Sequence, residues 1–246
     1  MKTRVIVLAA GKSKRMNGVT KTLLPIGNQP MINRLLAAVA ASGVDDRPVI
    51  VVGQNADEMK SVLGETYDYV IQTEQLGTGH AVRSTEEFLK NKADAVVVFY
   101  GDMPFVRKET IQNLVRTHEH DGAVITMITA RVPDFEDWRK TFFDFGRIAR
   151  GSDGTIKAII EKRDATPEEL EIREINPGFF CFNAEWLWKN LEQLKSHNAQ
   201  NEYYLTDLVG MAMNQHEKIV TIEGDYQEIV GVNTPEQLEL ARKLAG

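Results

Sequence analysis

Short blocks of apolar residues, spaced alternately for strands and helices, run along most of this chain. Val5, Ile6, Val7 and Leu8 form an unbroken apolar run of the length expected for a strand buried on both faces of a parallel sheet. From Met31 to Ser42 the apolar positions recur at helical spacing, Gln29 and Pro30 set the start, and Gly43 supplies a stop. Val49 to Val52 predicts a second buried strand ending at Gly53, Asp57 to Leu63 a short helix, and Val70 and Ile71 open a third strand that runs into the loop QTEQLGTGHAV. Ala93 to Tyr100 (ADAVVVFY) is the strongest strand signal, followed by a helix over Glu109 to His118 and a strand over Gly122 to Arg131.

Beyond this point the rhythm changes. Val132 to Phe143 is acidic and aromatic and reads as a surface insertion or short helix. RIAR, the turn GSDG and TIKAII predict an antiparallel pair. Ile175 to Asn183 reads as an apolar strand, Trp186 to Leu194 as a helix, Ile219 to Ile222 and Ile229 to Val232 as two last strands, and the segment from Pro235 as a short helix. The order predicts an α/β protein with a mostly parallel sheet flanked by helices.

Composition narrows the class. The chain has 246 residues, 43% hydrophobic and 26% charged, enough for a substantial core and consistent with one large α/β domain. A formal net charge of -6 argues against a general attraction to nucleic acid or to an anionic membrane, so any cationic cluster must act locally. Cys181 is the only cysteine, which excludes an intrachain disulfide and a cysteine-based zinc site, and its apolar, aromatic setting predicts a core residue. The start, MKTRVIV, lacks the apolar core of a signal peptide, and no run approaches the ~20 apolar residues of a membrane span. A cytoplasmic location is the expectation.

The candidate chemistry follows the strands. After the first of them, Ala9, Ala10 and Gly11 remove side-chain bulk, and Lys12, Lys14, Arg15 and Lys21 come close behind. Backbone with so little cover can approach a ligand, and successive N–H groups in such a turn make a concavity for anions. The segment predicts a nucleotide-phosphate site, although it lacks the glycine and Gly-Lys-Ser/Thr ending of a Walker loop. Asp102 closes the strongest strand, in the crevice where open α/β sheets bind ligands, and a carboxylate there suits Mg²⁺. His118 and His120 show no third ligand, and His80 reads as a packing or capping residue.

Read residue by residue, Leu8, Ala9, Ala10, Gly11, Arg15, Met16 and Lys21 resemble the LxAGxxxRM…K signature of nucleotidyltransferases that join a nucleoside triphosphate to a sugar phosphate. Gln72, Glu74, Gln75, Leu76, Gly77, Thr78, Gly79, His80 and Ala81 resemble QxEQLGTGHA of the N-terminal uridyltransferase domain of the bifunctional N-acetylglucosamine-1-phosphate uridyltransferase and glucosamine-1-phosphate acetyltransferase family. Tyr100, Gly101 and Asp102 match its YGDxP, Gly146, Arg147 and Ile148 its GRI, Glu161 its VExKDA, Asn176 and Gly178 its NxG, Tyr203 and Tyr204 its GEYYxTD, and Asn233 its GVNxxxQL.

The resemblance implies a Rossmann-like mixed sheet with a small antiparallel β lobe over a sugar site. The nucleotide-binding part would span about residues 1–110, the sugar-binding part about 111–235 and a C-terminal helix 235–246. It implies that Asp102 and Asn233 share a Mg²⁺ ion and that Arg15 and Lys21 hold a triphosphate. Gln72, Gln75, Gly77 and Thr78 would read a uracil, with Gly77 and Gly79 permitting its close approach, and Glu161 would accept hydrogen bonds from sugar hydroxyls. The substrates implied are UTP and a sugar 1-phosphate, with no nucleic acid or membrane partner. Phe145 stands where a tyrosine is usual and Pro177 where a threonine is usual, which leaves open a different sugar or base, or a non-catalytic nucleotide-sugar-binding protein. The family's hexapeptide-repeat half has no counterpart here, so acetyl transfer is not expected, whether the chain stands alone or is a domain of a longer protein.

Overall fold

The computed structural model describes residues 1–11, 13, 16, 19–198 and 200–246. In chain order the elements begin with β1 (Thr3–Leu8), the short strands β2 (Pro25–Ile26) and β3 (Gln29–Pro30), α1 (Met31–Ser42), β4 (Val49–Val52), α2 (Ala56–Leu63) and β5 (Asp68–Ile71). Then follow α3 (Thr78–Arg83), α4 (Glu86–Leu89), β6 (Ala95–Tyr100), α5 (Lys108–Asp121) and β7 (Ile125–Arg131). The rest comprises β8 (Gly146–Arg150), β9 (Ile156–Ile160), α6 (Pro167–Leu170), β10 (Glu174–Asn176), β11 (Phe180–Asn183), α7 (Ala184–Leu191), α8 (Asp207–Asn214), β12 (Ile219–Gly224) and α9 (Pro235–Leu244).

One large sheet carries the strand order β5-β4-β1-β6-β11-β7-β10-β8-β9, with β12 on β7, and β2 and β3 form a separate ribbon. The β5-β4-β1-β6 half is parallel, whereas β11 runs antiparallel between β6 and β7. Because successive side chains of a strand point to opposite faces, each apolar run supplies two cores at once. Val5 and Val7, Ile50 and Val52, and Val97 and Phe99 join the core covered by Ile32, Leu35 and Val39 of α1 and Leu114 of α5. Ile6, Val49, Val51, Val96 and Val98 join the other, covered by Val82 of α3, Leu187 and Leu191 of α7 and Leu208 of α8.

The α1 helix has the predicted bounds and ends at Gly43 with φ of 69°, the left-handed backbone that lets the chain turn away. Two expectations are corrected and a third is decided between its alternatives. Ile229 to Val232 is not a strand: Tyr226–Ile229 forms a 3-10 turn, with Ile229, Val230 and Val232 buried as core fillers. The run from Ile175 to Asn183 is broken into β10 and β11 by Pro177 and by Gly178, whose φ of 81° no strand can carry. Of the two readings of Val132 to Phe143 the short helix holds, since Asp137–Asp144 forms a 3-10 helix that is packed rather than superficial: Phe142 is fully buried and meets Trp138 edge-on at 5.6 Å.

The parallel half sets the site. Leu8 and Tyr100 are register partners, so the carboxyl ends of β1 and β6 leave the sheet side by side. Since β4 lies on the other flank of β1, the chain reverses its direction of travel across the sheet there, and the crevice opens at that switch point.

Candidate nucleotide and phosphate site

Four backbone bonds gather the loops at this edge. Ala9 N–H donates to the Val51 carbonyl at 2.9 Å, Gly101 N–H to Leu8 at 3.0 Å, Gln72 N–H to Val52 at 2.8 Å and Val232 N–H to Asp102 at 3.0 Å. The last carries Asn233 to Asp102 across the fold. Asn233 is then fixed by the sequence that follows it, Thr-Pro-Glu-Gln. Thr234 and Gln237 cap α9 reciprocally with Pro235 in its first turn, and the Gln237 side-chain oxygen also accepts the Asn233 N–H at 2.6 Å.

The resulting cleft, of about 620 Å³, is walled by Leu8, Ala9, Ala10, Gly11 and Lys21 on the β1 side. Gln72, Gln75, Gly77 and Thr78 form another wall, and Tyr100, Asp102 and Asn233 a third. At its centre the Lys21 ammonium donates to Asp102 Oδ2 at 2.5 Å and to Asn233 Oδ1 at 2.6 Å. Two hard oxygens from opposite ends of the chain therefore already converge on one cation. Among the described residues there is no group of three or more His, Cys, Asp or Glu side chains placed to hold a metal. A two-donor set of one carboxylate and one carboxamide oxygen fits Mg²⁺, which draws few ligands from protein and completes its shell with water and phosphate.

The carboxamide wall is held by backbone carbonyls. Gln72 Nε2 donates to the Gly77 carbonyl at 3.2 Å and Gln75 Nε2 to the Gln72 carbonyl at 3.2 Å. The glycines here act differently from the sequence expectation. A Cβ on Gly77, whose φ is 108°, would lie 2.7 Å from the Tyr203 carbonyl oxygen, and one on Gly79 3.0 Å from the same atom. Their missing side chains make room for the 202–205 segment. Gly79 N–H donates to Tyr203 at 2.8 Å, Tyr203 N–H to Leu76 at 2.8 Å, and Leu205 N–H to Thr78 Oγ1 at 3.0 Å. Thr78 thereby ties two loops together.

Not every expected site residue reaches the cleft wall. Gly101, Gly146, Glu161 and Asn176 do not line it. Gly101 packs its Cα beneath Ile32 and Thr22, where a Cβ would stand 3.1 Å from the isoleucine. Asn176 is buried, and its side-chain oxygen accepts the Gly178 N–H at 2.9 Å, shaping a turn whose glycine lies flat on the Tyr100 ring. Glu161 accepts from Thr206 Oγ1 at 3.0 Å, and Gly146 leaves space for its carboxylate, which a Cβ would approach to 3.5 Å. Burial, with Asp207 and Asp164 nearby, pushes the Glu161 carboxyl up from the usual range. Burial, then Glu161 and Asp102, likewise pushes the Tyr100 phenol up. Tyr100 thus has the Gly178 turn against its ring and the Glu161 carboxyl nearby.

Arg15, Lys12 and Lys14 lie outside the described residues. Lining the cleft that sequence reasoning missed are Ser13, Thr20, Thr22, Ala81, Arg163, Gln200 and Glu202. Arg163 sits inside the already recognised EKRDA segment, and its cation in an acidic protein was the available signal. Ser13 and Thr20 carried none: Thr20 matters because it holds Glu58 and Asn55 of the α2 start, fixing the loop that delivers Lys21. Arg147 of the GRI segment is fully buried, donating to the Phe143, Phe145 and Leu170 carbonyls with its guanidinium 4.7 Å from the centre of the Phe135 ring. It shapes the turn before β8 and takes no part in the cleft. Cys181 is fully buried, and burial pushes its thiol up.

The same architecture is found in solved structures. A protein of Bacillus anthracis given the provisional name glucose-1-phosphate thymidylyltransferase, solved with sucrose, superposes with a TM-score of 0.77 at 21% identity, over 99% of this chain and 95% of that one. Curated relatives include the bifunctional protein GlmU of Brevibacillus brevis, 40% identical over 98% of this chain and 51% of its own length, and that of Clostridium acetobutylicum, 38% identical over 95% and 50%. The chain thus spans about half the length of the curated relatives it matches. Residues 5–205 match the MobA-like NTP transferase domain, with β1, the carboxamide loop and Asp102 all inside the match. The chain belongs to that family of NTP transferases.

Proposed function

We propose that this chain is a cytoplasmic uridyltransferase that moves UMP from UTP to a sugar 1-phosphate, N-acetylglucosamine 1-phosphate foremost, and releases pyrophosphate. Residues 1–246 are read as one nucleotidyltransferase domain, divided as its sequence suggests. The observation that carries the proposal is the convergence of Lys21, Asp102 and Asn233 on one point in the same cleft as Gln72 and Gln75. The motif resemblance and about 40% identity to proteins named GlmU support the choice of uridine and sugar. In the described residues no helix is long and apolar enough to cross a membrane.

A sugar phosphate oxygen is already anionic, so the reaction needs no general base. It attacks the α-phosphorus of UTP in line; the new P–O bond forms as the bond to the β-phosphate bridging oxygen breaks, and pyrophosphate leaves. What the protein must supply is alignment and charge neutralisation. Lys21, once its ammonium turns from Asp102 and Asn233, is placed to neutralise the triphosphate, with Arg15 assigned there on the sequence pattern. Asp102 and Asn233 would hold Mg²⁺, which supplies charge neutralisation between the two phosphates. Gln72 and Gln75 hold the base, and Glu161, outside the cleft wall and near Tyr100, is assigned to the sugar hydroxyls on the sequence pattern.

Coupled measurement of pyrophosphate release, with each of the four NTPs against a panel of sugar 1-phosphates, tests the proposal. UTP with N-acetylglucosamine 1-phosphate should give the fastest turnover, and EDTA should stop it. Absence of release with every sugar phosphate in the panel would refute it, and a faster reaction with another sugar phosphate or another NTP would replace the sugar or the base of the proposal.

A further inference from the structure

We propose that His80 is a positioning residue for base selection: its ring fixes the carboxamide of Gln72 so that only the carbonyl oxygen faces the cleft, which admits a pyrimidine carrying hydrogen on N3. The inference rests on the uridyltransferase reading and adds the residue that decides which base the loop accepts.

The argument starts from donors and acceptors. Gln72 is 3% exposed, and one end of its carboxamide lies 3.2 Å from the Gly77 carbonyl and 3.0 Å from His80 Nδ1. A backbone carbonyl can only accept, so that end is the NH₂ group. The His80 Nδ1 it meets must then be the bare ring nitrogen, and the ring is the neutral Nε2–H tautomer. Both hydrogens of Gln72 Nε2 are spent in this way, one on Gly77 and one on His80. Its Oε1 receives no hydrogen bond among the described residues and is not among the buried unpartnered atoms, while the residue lines the cleft. The remaining valence is therefore an acceptor aimed at a ligand.

An acceptor held in this manner discriminates. Uracil places an N3–H donor against it. Cytosine places a lone pair there, and neither partner can rotate to relieve the repulsion. Gly77 alone would anchor one hydrogen of the NH₂ group; His80 anchors the second and prevents the amide from turning over. The groups around the imidazole keep it in the accepting form: burial first, then the Arg83 guanidinium, hold its basicity down, against the opposing pull of Glu74. Arg83 is held in turn over the Tyr203 ring, 5.6 Å from its centre. The GTGHA motif thus places its histidine in the first turn of α3, eight residues beyond the carboxamide it supports.

Equilibrium titration of the purified protein with UTP, CTP and N3-methyl-UTP, with Mg²⁺ and no sugar phosphate, tests the inference. The native chain should bind UTP far more tightly than the other two. His80→Phe keeps the ring volume and removes the acceptor; it should weaken UTP about tenfold and leave CTP unchanged, the size of effect expected for one hydrogen bond. His80→Asn, whose side-chain oxygen can reach the Nδ1 position, should keep the UTP-to-CTP ratio within about threefold of native. A native preference for UTP that survives His80→Phe intact would overturn the inference and leave the uridyltransferase reading standing. No native preference for UTP would overturn both. Nitrogen-detected NMR of the unsubstituted protein gives an answer independent of how the variants fold: Nδ1 of His80 should be unprotonated, and a protonated Nδ1 contradicts the assignment.

Discussion

Lys21 sits where a metal would compete with it for the Asp102 and Asn233 oxygens and a triphosphate would compete for its ammonium. Its ammonium bridges Asp102 and Asn233, so the carboxylate already has a cationic partner. Replacing it should separate two effects. Lys21→Met should tighten Mn²⁺ binding in the absence of nucleotide, read by titration calorimetry, because the carboxylate loses its resident cation; weaker binding would mean that Lys21 organises the metal donors. Turnover of the same variant should fall ~10²-fold, as expected for loss of a charged contact to the reacting phosphates. Asp102→Asn keeps the shape and removes the charge. Its turnover should drop by a similar ~10²-fold or more with the melting temperature within a few degrees of native, and full activity would contradict the mechanism.

At the scale of elements, the carboxamide loop and the 202–205 segment are built around a missing side chain. Gly77 has a backbone conformation that essentially only glycine adopts, and a Cβ would strike the Tyr203 backbone. Gly77→Ala should cost roughly 1–3 kcal/mol for the strained backbone alone and weaken UTP binding; native stability by urea unfolding would refute this. The α5 helix carries a different sensitivity. His118 is buried with its Nδ1 3.0 Å from Thr126 Oγ1, and burial pushes its imidazole down to about 4 from 6.5. Between those values the unfolded chain takes up a proton that the folded chain refuses. Stability is therefore full above pH 6.5 and falls as pH drops toward 4, by at most about 3 kcal/mol, and His118→Gln should flatten that part of the unfolding profile.

The elements also show what the sequence could and could not disclose. Apolar periodicity located β1, α1, β4 and β6 because each is buried on a face that only its own residues fill. It misread Ile229 to Val232, since an apolar run that plugs a core as a turn has the same composition as a strand. Gln72 and Asp102 were legible as candidates through motif and placement after strands β5 and β6, whereas Lys21 and Asn233 rested on the motif alone. The link between Gln72 and His80 was not, because a hydrogen bond across eight residues depends on how the Gly77 turn folds back. The use of Gly77 and Gly79 by Tyr203 was hidden for the same reason: the partner lies more than a hundred residues away.

For the molecule as a whole, a single sheet gathers distant segments onto one edge. The parallel strands deliver Ala9 to Gly11, Gln72 and Asp102; the Val232 N–H to Asp102 carbonyl bond brings in Asn233, and the β8–β9 hairpin brings Glu161 beside Tyr100. Nucleotide, metal and sugar sites would then be neighbours because the chain changes direction across the sheet between β1 and β6. The most direct test of that claim is the anomalous difference density of Mn²⁺ in a crystal of the protein grown with UDP-N-acetylglucosamine. The account predicts one peak between the Asp102 carboxylate and Asn233 Oδ1, with the Lys21 ammonium turned away and the uracil against Gln72. A peak elsewhere, or Lys21 still bridging the two oxygens beside a bound nucleotide sugar, would contradict it.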